Sequence, residues 1–230
     1  MRAVGRSGLN RSGQLSLLVA PFVAEVVAVE PEPDMVAEGQ RRVRALGTEN
    51  VTFVTATSED LSALQASLGR FRTTLMGQSF HWMLDKDQVL RDLSAMVEAT
   101  EGSVAFITPW RVSVPEVLET AEKTVQAILE RYLADVPPGP HPQGRHDPFE
   151  AILARSPFPR VERIEHVYPA PLRPTVESLL GSAYSISHVL TRLGERREAF
   201  EREVRRALGS LDEIGQVEVT WRDEALIGLR

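Results

Sequence analysis

Cysteine is absent from the 230 residues, which excludes disulfides and thiolate metal sites. No apolar run approaches the roughly 20 residues that a membrane-spanning helix requires. The first residues, Met1 to Gln14, carry Arg2, Arg6 and Arg11 but no apolar core, so they do not read as a secretory signal. Basic charge is also in short supply, with 26 Lys and Arg against 32 Asp and Glu for a net charge of −6. That balance disfavours a nucleic-acid backbone as partner, because phosphate recognition needs clustered cations. Nucleophile elbows, Walker loops, zinc-type ligand spacing and internal repeats are all missing. A cytoplasmic location is the default expectation, with neither membrane nor nucleic acid as partner.

What is present is an ordinary globular composition, 43% hydrophobic and 25% charged, enough for one large domain or one domain with a subdomain. Arg196, Arg197, Arg202, Arg205 and Arg206 form a local basic cluster. They alternate with Glu195, Glu198, Glu201 and Glu203, which predicts a solvated, ion-paired helix face.

The first half alternates regularly. Leu15 to Val23 reads as a short helix ended near Pro21, and Glu25 to Val29 as a buried strand. Asp34 is placed to cap a helix that Gly47 stops. Val51 to Thr55 is a β-branched strand, Leu61 to Leu68 a helix, and Thr73 to Met76 a strand. Val89, Leu90, Leu93, Met96 and Val97 share one face of a helix over Asp87 to Val97, and Val104 to Thr108 is the next strand. Strands alternating with helices predict an α/β fold with a doubly wound, mostly parallel, Rossmann-like sheet. From Val114 the texture changes to a long helix ending at Leu133, then a Pro/Gly/His-rich segment, Pro137 to Pro148. Two further helices near Thr175 to Tyr184 and Glu195 to Leu208 lie between strands at Arg160 to Tyr168 and Gln216 to Leu229. The expected organisation is a core over 1–112, a helical cap with one strand over 113–215, and a final antiparallel strand over 216–230.

Three segments carry a family resemblance. Glu25-Val-Val-Ala-Val-Glu30-Pro31 is a strand ending in an acid, the arrangement that holds vicinal ribose hydroxyls. Asn50-Val-Thr-Phe-Val-Thr-Ala-Thr-Ser58-Glu59-Asp60 follows as a second strand with a polar end. Thr74-Leu-Met-Gly77-Gln78-Ser79-Phe80-His81-Trp82-Met83 is the most specific of the three. Together they resemble the class I S-adenosylmethionine-dependent methyltransferases, in a bacterial small-molecule branch. The resemblance implies S-adenosylmethionine as cofactor, with its ribose on Glu30 and Pro31 and its adenine by Ser58 and Glu59. Gln78 and the turn at Gly13 and Gln14 complete that site.

The family's D-x-G-x-G-x-G loop departs from its pattern here. Gly13 keeps the last glycine, but Arg11 and Leu9 hold the two earlier ones and Ser7 the acid position. Only Arg2 to Val4 is left to form the strand before the loop, and the helices that precede it in the family have no counterpart. Side chains at glycine positions obstruct close backbone approach, and Arg11 sets a cation against the cofactor's own sulfonium. This loop predicts weak or lost cofactor binding.

His81 is the candidate acid–base, since histidine titrates nearest neutral pH. Tyr184 and His188, four apart, are further acid–base candidates on the cap, and Trp82 and Trp110 candidate walls of an acceptor pocket. His141 and His146 lack a third ligand, and no metal is expected. The functional expectation is methyl transfer to a small molecule. The alternative is a repurposed relative that catalyses another reaction, such as cyclisation or elimination, or acts as a binding protein, with a homodimer covering the sheet edge.

Overall fold

In the computed structural model, residues 2–7, 13–137, 147–184 and 189–230 are described. Among them a seven-stranded sheet has the order β3-β2-β1-β4-β5-β7-β6. The strands are β1 (Arg2–Ser7), β2 (Glu25–Glu30), β3 (Val51–Thr55), β4 (Thr73–Gly77), β5 (Ser103–Ser113), β6 (Arg160–Leu172) and β7 (Val217–Leu229). β1 pairs in parallel with both β2 and β4, β2 with β3, and β4 with β5. The Arg230 amide donates to the Gly102 carbonyl, which brings the end of β7 to the beginning of β5, as antiparallel pairing requires. The order of connection reverses between β1 and β4, and in open α/β sheets ligands bind at the strand ends beside such a point.

β1 extends three residues beyond the Arg2 to Val4 expected of it. Gly5, Arg6 and Ser7 carry no apolar signal, but a central strand takes its stability from ladders on both sides, and both are present here. β5 also runs past the expected stop at Pro109. Its last partner on β4 is Gly77, opposite Ile107, so the amide that Pro109 lacks costs no bond on that side.

The contacts divide the chain into two compact units, one of Met1–Pro109, Pro142–His166 and Asp223–Arg230, the other of Trp110–His141 and Val167–Arg222. Residues 147–166, within the stretch expected to form the cap, therefore group with the first unit. The reason is apolar: Ile152, Leu153 and Phe158 are buried with Phe80, Leu90, Phe106 and Leu226 in the main core cluster.

In the first unit β2 is buried on both faces, as a central parallel strand must be. Val26 faces a cluster with Ala20 and Val51, whereas Val27 and Val29 face the main core. Helices α1 (Gln14–Val19) and α2 (Pro33–Ala45) contribute to the smaller cluster, through Val19 and Val43. Helices α3 (Leu61–Leu68), α4 (Lys86–Met96) and α6 (Phe149–Ala154) contribute to the larger. α2 begins one residue before the expected cap, Asp34: Pro33 takes the first helical position, where its missing amide costs nothing, and Asp34 sits in the first turn against the helix dipole. α4 begins at a side-chain cap, Asp85 Oδ1 accepting from the Gln88 amide at 2.8 Å.

The second unit packs α5 (Glu116–Leu133), α7 (Val176–Tyr184), α8 (Val189–Leu193) and α9 (Arg197–Ala207) around Leu129, Leu180, Leu193, Phe200 and Val219. The basic cluster at α9 is ion-paired: Arg197 with Glu201 at 2.8 Å within the helix, as the alternation predicts, Arg205 with Glu177, and Arg196, just before the helix, with Asp135 at 2.7 Å. No described helix is long and apolar enough to cross a membrane.

Candidate active site

The parallel strands of the first unit end in one row. Ser7 pairs with Gly77, Gly77 with Ile107, and Glu30 with Thr55; continuing the β1–β2 register by two residues sets Ser7 level with Glu30. Each predicted cofactor residue of the first unit lies on this row or on the loop that leaves it.

Glu30 closes β2, half-buried after four buried residues. Its Oε1 accepts from the Glu32 amide at 3.3 Å, which holds the carboxylate at the strand end, and the half-buried Pro31 stiffens the turn between them. The Ala56 amide donates to the Glu30 carbonyl at 3.2 Å, so the exit of β3 is fixed against the exit of β2.

The next loop is shaped by a residue that the sequence did not single out. Asp60 Oδ2 accepts from the Thr57 amide at 2.8 Å and from the Thr57 hydroxyl at 2.9 Å. These bonds, the amide first, hold the Asp60 carboxyl below the usual carboxylate range. The Thr57 amide is thereby committed; Ser58 after it is buried, 8% exposed, and Glu59 is exposed. Ser58 and Thr57 also border a cavity of about 20 Å³ lined by Val29, Leu61, Met76 and Leu93, far too small for a nucleoside. The cavity belongs to the core behind the loop.

Gly13 precedes α1 with φ of 81°, in the left-handed region. A Cβ there would stand 2.5 Å from Phe53 Cζ, and one on Gly39 would stand 2.4 Å from the same ring, so Phe53 wedges into a slot walled by two glycines. α1 is laid over the strand ends, since Leu15 packs against Gly77. The exposed Gln14 opens that helix. The substituted loop positions Leu9 and Arg11 lie outside the described residues.

Beyond β4, Gln78 is the only non-glycine with positive φ among the described residues, at 43°. Its amide donates to the Ile107 carbonyl at 3.1 Å and its Nε2 to the Pro109 carbonyl at 3.2 Å. Backbone strain of this kind persists only where neighbours over-determine it. It turns the chain sharply into a short 3₁₀ turn, Phe80–Trp82.

That turn is anchored from below by Phe80, 1% exposed, which stacks on Phe106 at 4.4 Å between centroids and meets Phe149 edge-on at 5.1 Å. From the side, Lys86 Nζ donates to the Met83 carbonyl at 2.8 Å and the His81 carbonyl at 3.4 Å. Burial lowers the Lys86 pKa. His81 and Trp82 are left half-buried at the edge of the strand row, their rings 5.0 Å apart. Sequence reasoning singled out neither Phe80 nor Lys86; their role in presenting His81 comes from the tertiary packing.

Trp110 and Tyr184 belong to the second unit, and His188 lies outside the described residues. The Tyr184 hydroxyl is bonded to Glu201 Oε1 at 2.8 Å, and the Arg197 guanidinium lies over its ring at 5.1 Å. Burial, then the Glu201 carboxylate, pushes its pKa up to about 12. Tyr184 thus ties α7 to α9. α7 ends at Tyr184, so no continuous described helix carries the expected shared face with His188.

A family model for the methyltransferase domain matches residues 11–100. No curated protein sequence matches the chain. Among solved structures, the chain is similar to a proposed type II methyltransferase from Anaeromyxobacter dehalogenans, at 22% identity over 99% of this chain and 89% of that one, with a TM-score of 0.55. It is similar to the YcgJ protein from Bacillus subtilis at 15% identity, over 100% and 91% of the two chains, with a TM-score of 0.51. A proposed methyltransferase from Bacillus halodurans matches at 11% identity, over 99% and 91%, with a TM-score of 0.54. At these identities the likeness speaks to the fold. Residues 11–100 thus match the methyltransferase domain, and strand order and structural likeness give the whole chain the class I methyltransferase fold.

Proposed function

We propose that this protein transfers a methyl group to a small molecule, with S-adenosylmethionine bound along the row of strand ends in the first unit. One observation carries the reading: an acid ends β2 level with Thr55 of β3, in the row of strand ends beside the point where the order of connection reverses. The donor set suits the cofactor. Glu30 offers two carboxylate oxygens to paired ribose hydroxyls, Pro31 fixes the carboxylate's turn, and Ser58 and Glu59 offer polar groups to an adenine edge. Gly13 keeps the backbone beside Gln14 close to the row, and Gln78, its Nε2 on Pro109, keeps Oε1 for a donor on the ligand.

When bound, S-adenosylmethionine supplies an activated methyl group on a sulfonium. The chain's part is orientation and proton transfer, since such transfer depends chiefly on positioning two reactants and excluding water. His81 is assigned the proton of the acceptor's hydroxyl or amine, and Trp82 the apolar wall beside it. Lys86 and Phe80 act as positioning residues by fixing the turn that carries both.

The test is incubation with S-adenosylmethionine labelled in its methyl group and a pool of small metabolites. Label is expected in a low-molecular-weight product, and formation should slow by about 10²-fold or more in His81→Ala. Leu9 and Arg11 at glycine positions favour a second reading, a repurposed relative without methyl transfer. No binding of S-adenosylmethionine by calorimetry, with no label transferred to any fraction, selects that second reading.

A further inference from the structure

β6 ends the sheet, so one of its edges has no strand beside it among the described residues. It is long, Arg160–Leu172, and largely exposed, with Ile164 57% and Val167 56% accessible. An uncovered edge bearing aliphatic side chains is a template for another strand. Two features identify the strand that fits.

The first is the placement of proline. Pro157 and Pro159 precede the central run, and Pro169 and Pro171 follow it. Pro169 and Pro171 lie inside β6 and have no amide to give to β7. The odd-numbered positions are therefore those whose backbone groups turn away from the sheet. Arg163 and Glu165 share that parity and present their N–H and C=O groups on the open edge.

The second is symmetry about Ile164. If a second copy of β6 runs antiparallel across a two-fold axis at Ile164, each residue before Ile164 faces the residue equally far after it. Arg163 then faces Glu165, Glu162 faces His166, Val161 faces Val167 and Arg160 faces Tyr168, while Pro159 faces Pro169 and Pro157 faces Pro171. An axis normal to the sheet keeps every side chain on its own face, so these are true cross-strand neighbours. The pairs are opposite charge, acid with histidine, aliphatic with aliphatic, and cation with aromatic; none sets like charges together. Moving the axis to Arg163 opposes Arg160 to His166 and Val161 to Glu165. Moving it to Glu165 opposes Arg163 to Val167. Only the Ile164 register is complementary throughout.

Within its own protomer Arg163 already lies among Glu150, Glu224 and, at 3.6 Å, Glu165. Acid is in excess around it, which leaves Glu165 able to take a partner's guanidinium. In this register Arg163 and the partner's Glu165 also exchange both backbone bonds, and the prolines stop the ladder at its ends.

We infer that the protein forms a symmetric homodimer by antiparallel β6–β6 pairing centred on Ile164, the occupant of the open edge being a second copy of the chain. Sedimentation velocity on the full chain over a wide concentration range tests it. The native chain should sediment as a dimer. Ile164→Lys, which brings two ammonium groups together on the axis, and Glu165→Arg, which opposes arginines at both symmetric pairs, should each weaken the dimer by about tenfold or more. Both side chains are exposed in the protomer, so thermal unfolding of the variants at low concentration should match the native chain and separate dissociation from misfolding. Monomeric native protein at every concentration, or a dimer indifferent to both substitutions, would overturn the inference. The outcome is independent of cofactor binding and of activity.

Discussion

Gly13 and Phe53 meet with no room for a methyl group: a Cβ on Gly13 would lie 2.5 Å from Phe53 Cζ. The last glycine of the family loop is thus held by two constraints, its φ of 81° and the aromatic ring of β3 beneath it. Gly13→Ala must meet both, at a cost of about 1–3 kcal/mol in stability. Chemical denaturation measures it. Adding Phe53→Leu should relieve the contact but not the dihedral cost, so the double variant should be less destabilised than the two single effects combined.

Leu9 and Arg11 give a prediction of opposite sign. If side chains at these positions obstruct the cofactor, their removal opens the approach that the family loop provides. The double variant Leu9→Gly/Arg11→Gly should bind S-adenosylmethionine about tenfold or more tightly than the native chain, since it removes two side chains and one cation from the loop. Unchanged affinity by calorimetry would show that the loop is not the weak point.

Asp60 sets the pH behaviour of the adenine-side loop. Its pKa is lowered by the Thr57 amide first and the Thr57 hydroxyl second. A depressed carboxyl contributes order that is fully present above its unfolded pKa, and that order is lost as pH falls through the lower folded value. The loop should therefore hold its shape at neutral pH and loosen only in acid, below the ordinary carboxylate range. A proton titration of the Thr57 amide resonance should show this inflection, and Asp60→Ala should abolish it. An inflection at the ordinary aspartate pKa would mean that the Thr57 bonds do not form in solution.

The two halves of this loop show how far the sequence is legible. β3 at Val51–Thr55 and α3 at Leu61–Leu68 are read to the residue, because a β-branched run and an apolar helical stripe are local signals. Asp60, between them, passes for a solvated acid; its role depends on a bond to a backbone three residues earlier, which composition does not display. The same holds for Lys86, whose ammonium reaches carbonyls of the preceding turn, and for β1, whose last three residues are strand only because two neighbours pair with them. The acid at Glu30 and the turn before His81 were visible because strand-end chemistry follows from strand position. Tyr184 reads as an acid–base candidate on a cap helix, and its bond to Glu201 is not displayed by the sequence.

Tyr184→Phe removes the bond to Glu201 and should destabilise the second unit by about 1 kcal/mol. A phenol whose folded pKa is raised contributes stability that is present below its unfolded value near 10 and lost as pH rises through the folded value of about 12. The native chain should therefore lose stability across that alkaline window more steeply than Tyr184→Phe does. Equal slopes in alkaline thermal melts would contradict the assignment.

The central claim is that the strand-end carboxylate of Glu30 holds the ribose of S-adenosylmethionine. Calorimetry on the native chain and on Glu30→Ala tests it most directly. Sub-millimolar binding that weakens by about 10- to 100-fold in the variant, the worth of charge-assisted bonds to two hydroxyls, is the predicted result, with thermal stability unchanged. Binding that ignores the loss of Glu30, or no binding by the native chain, would contradict it.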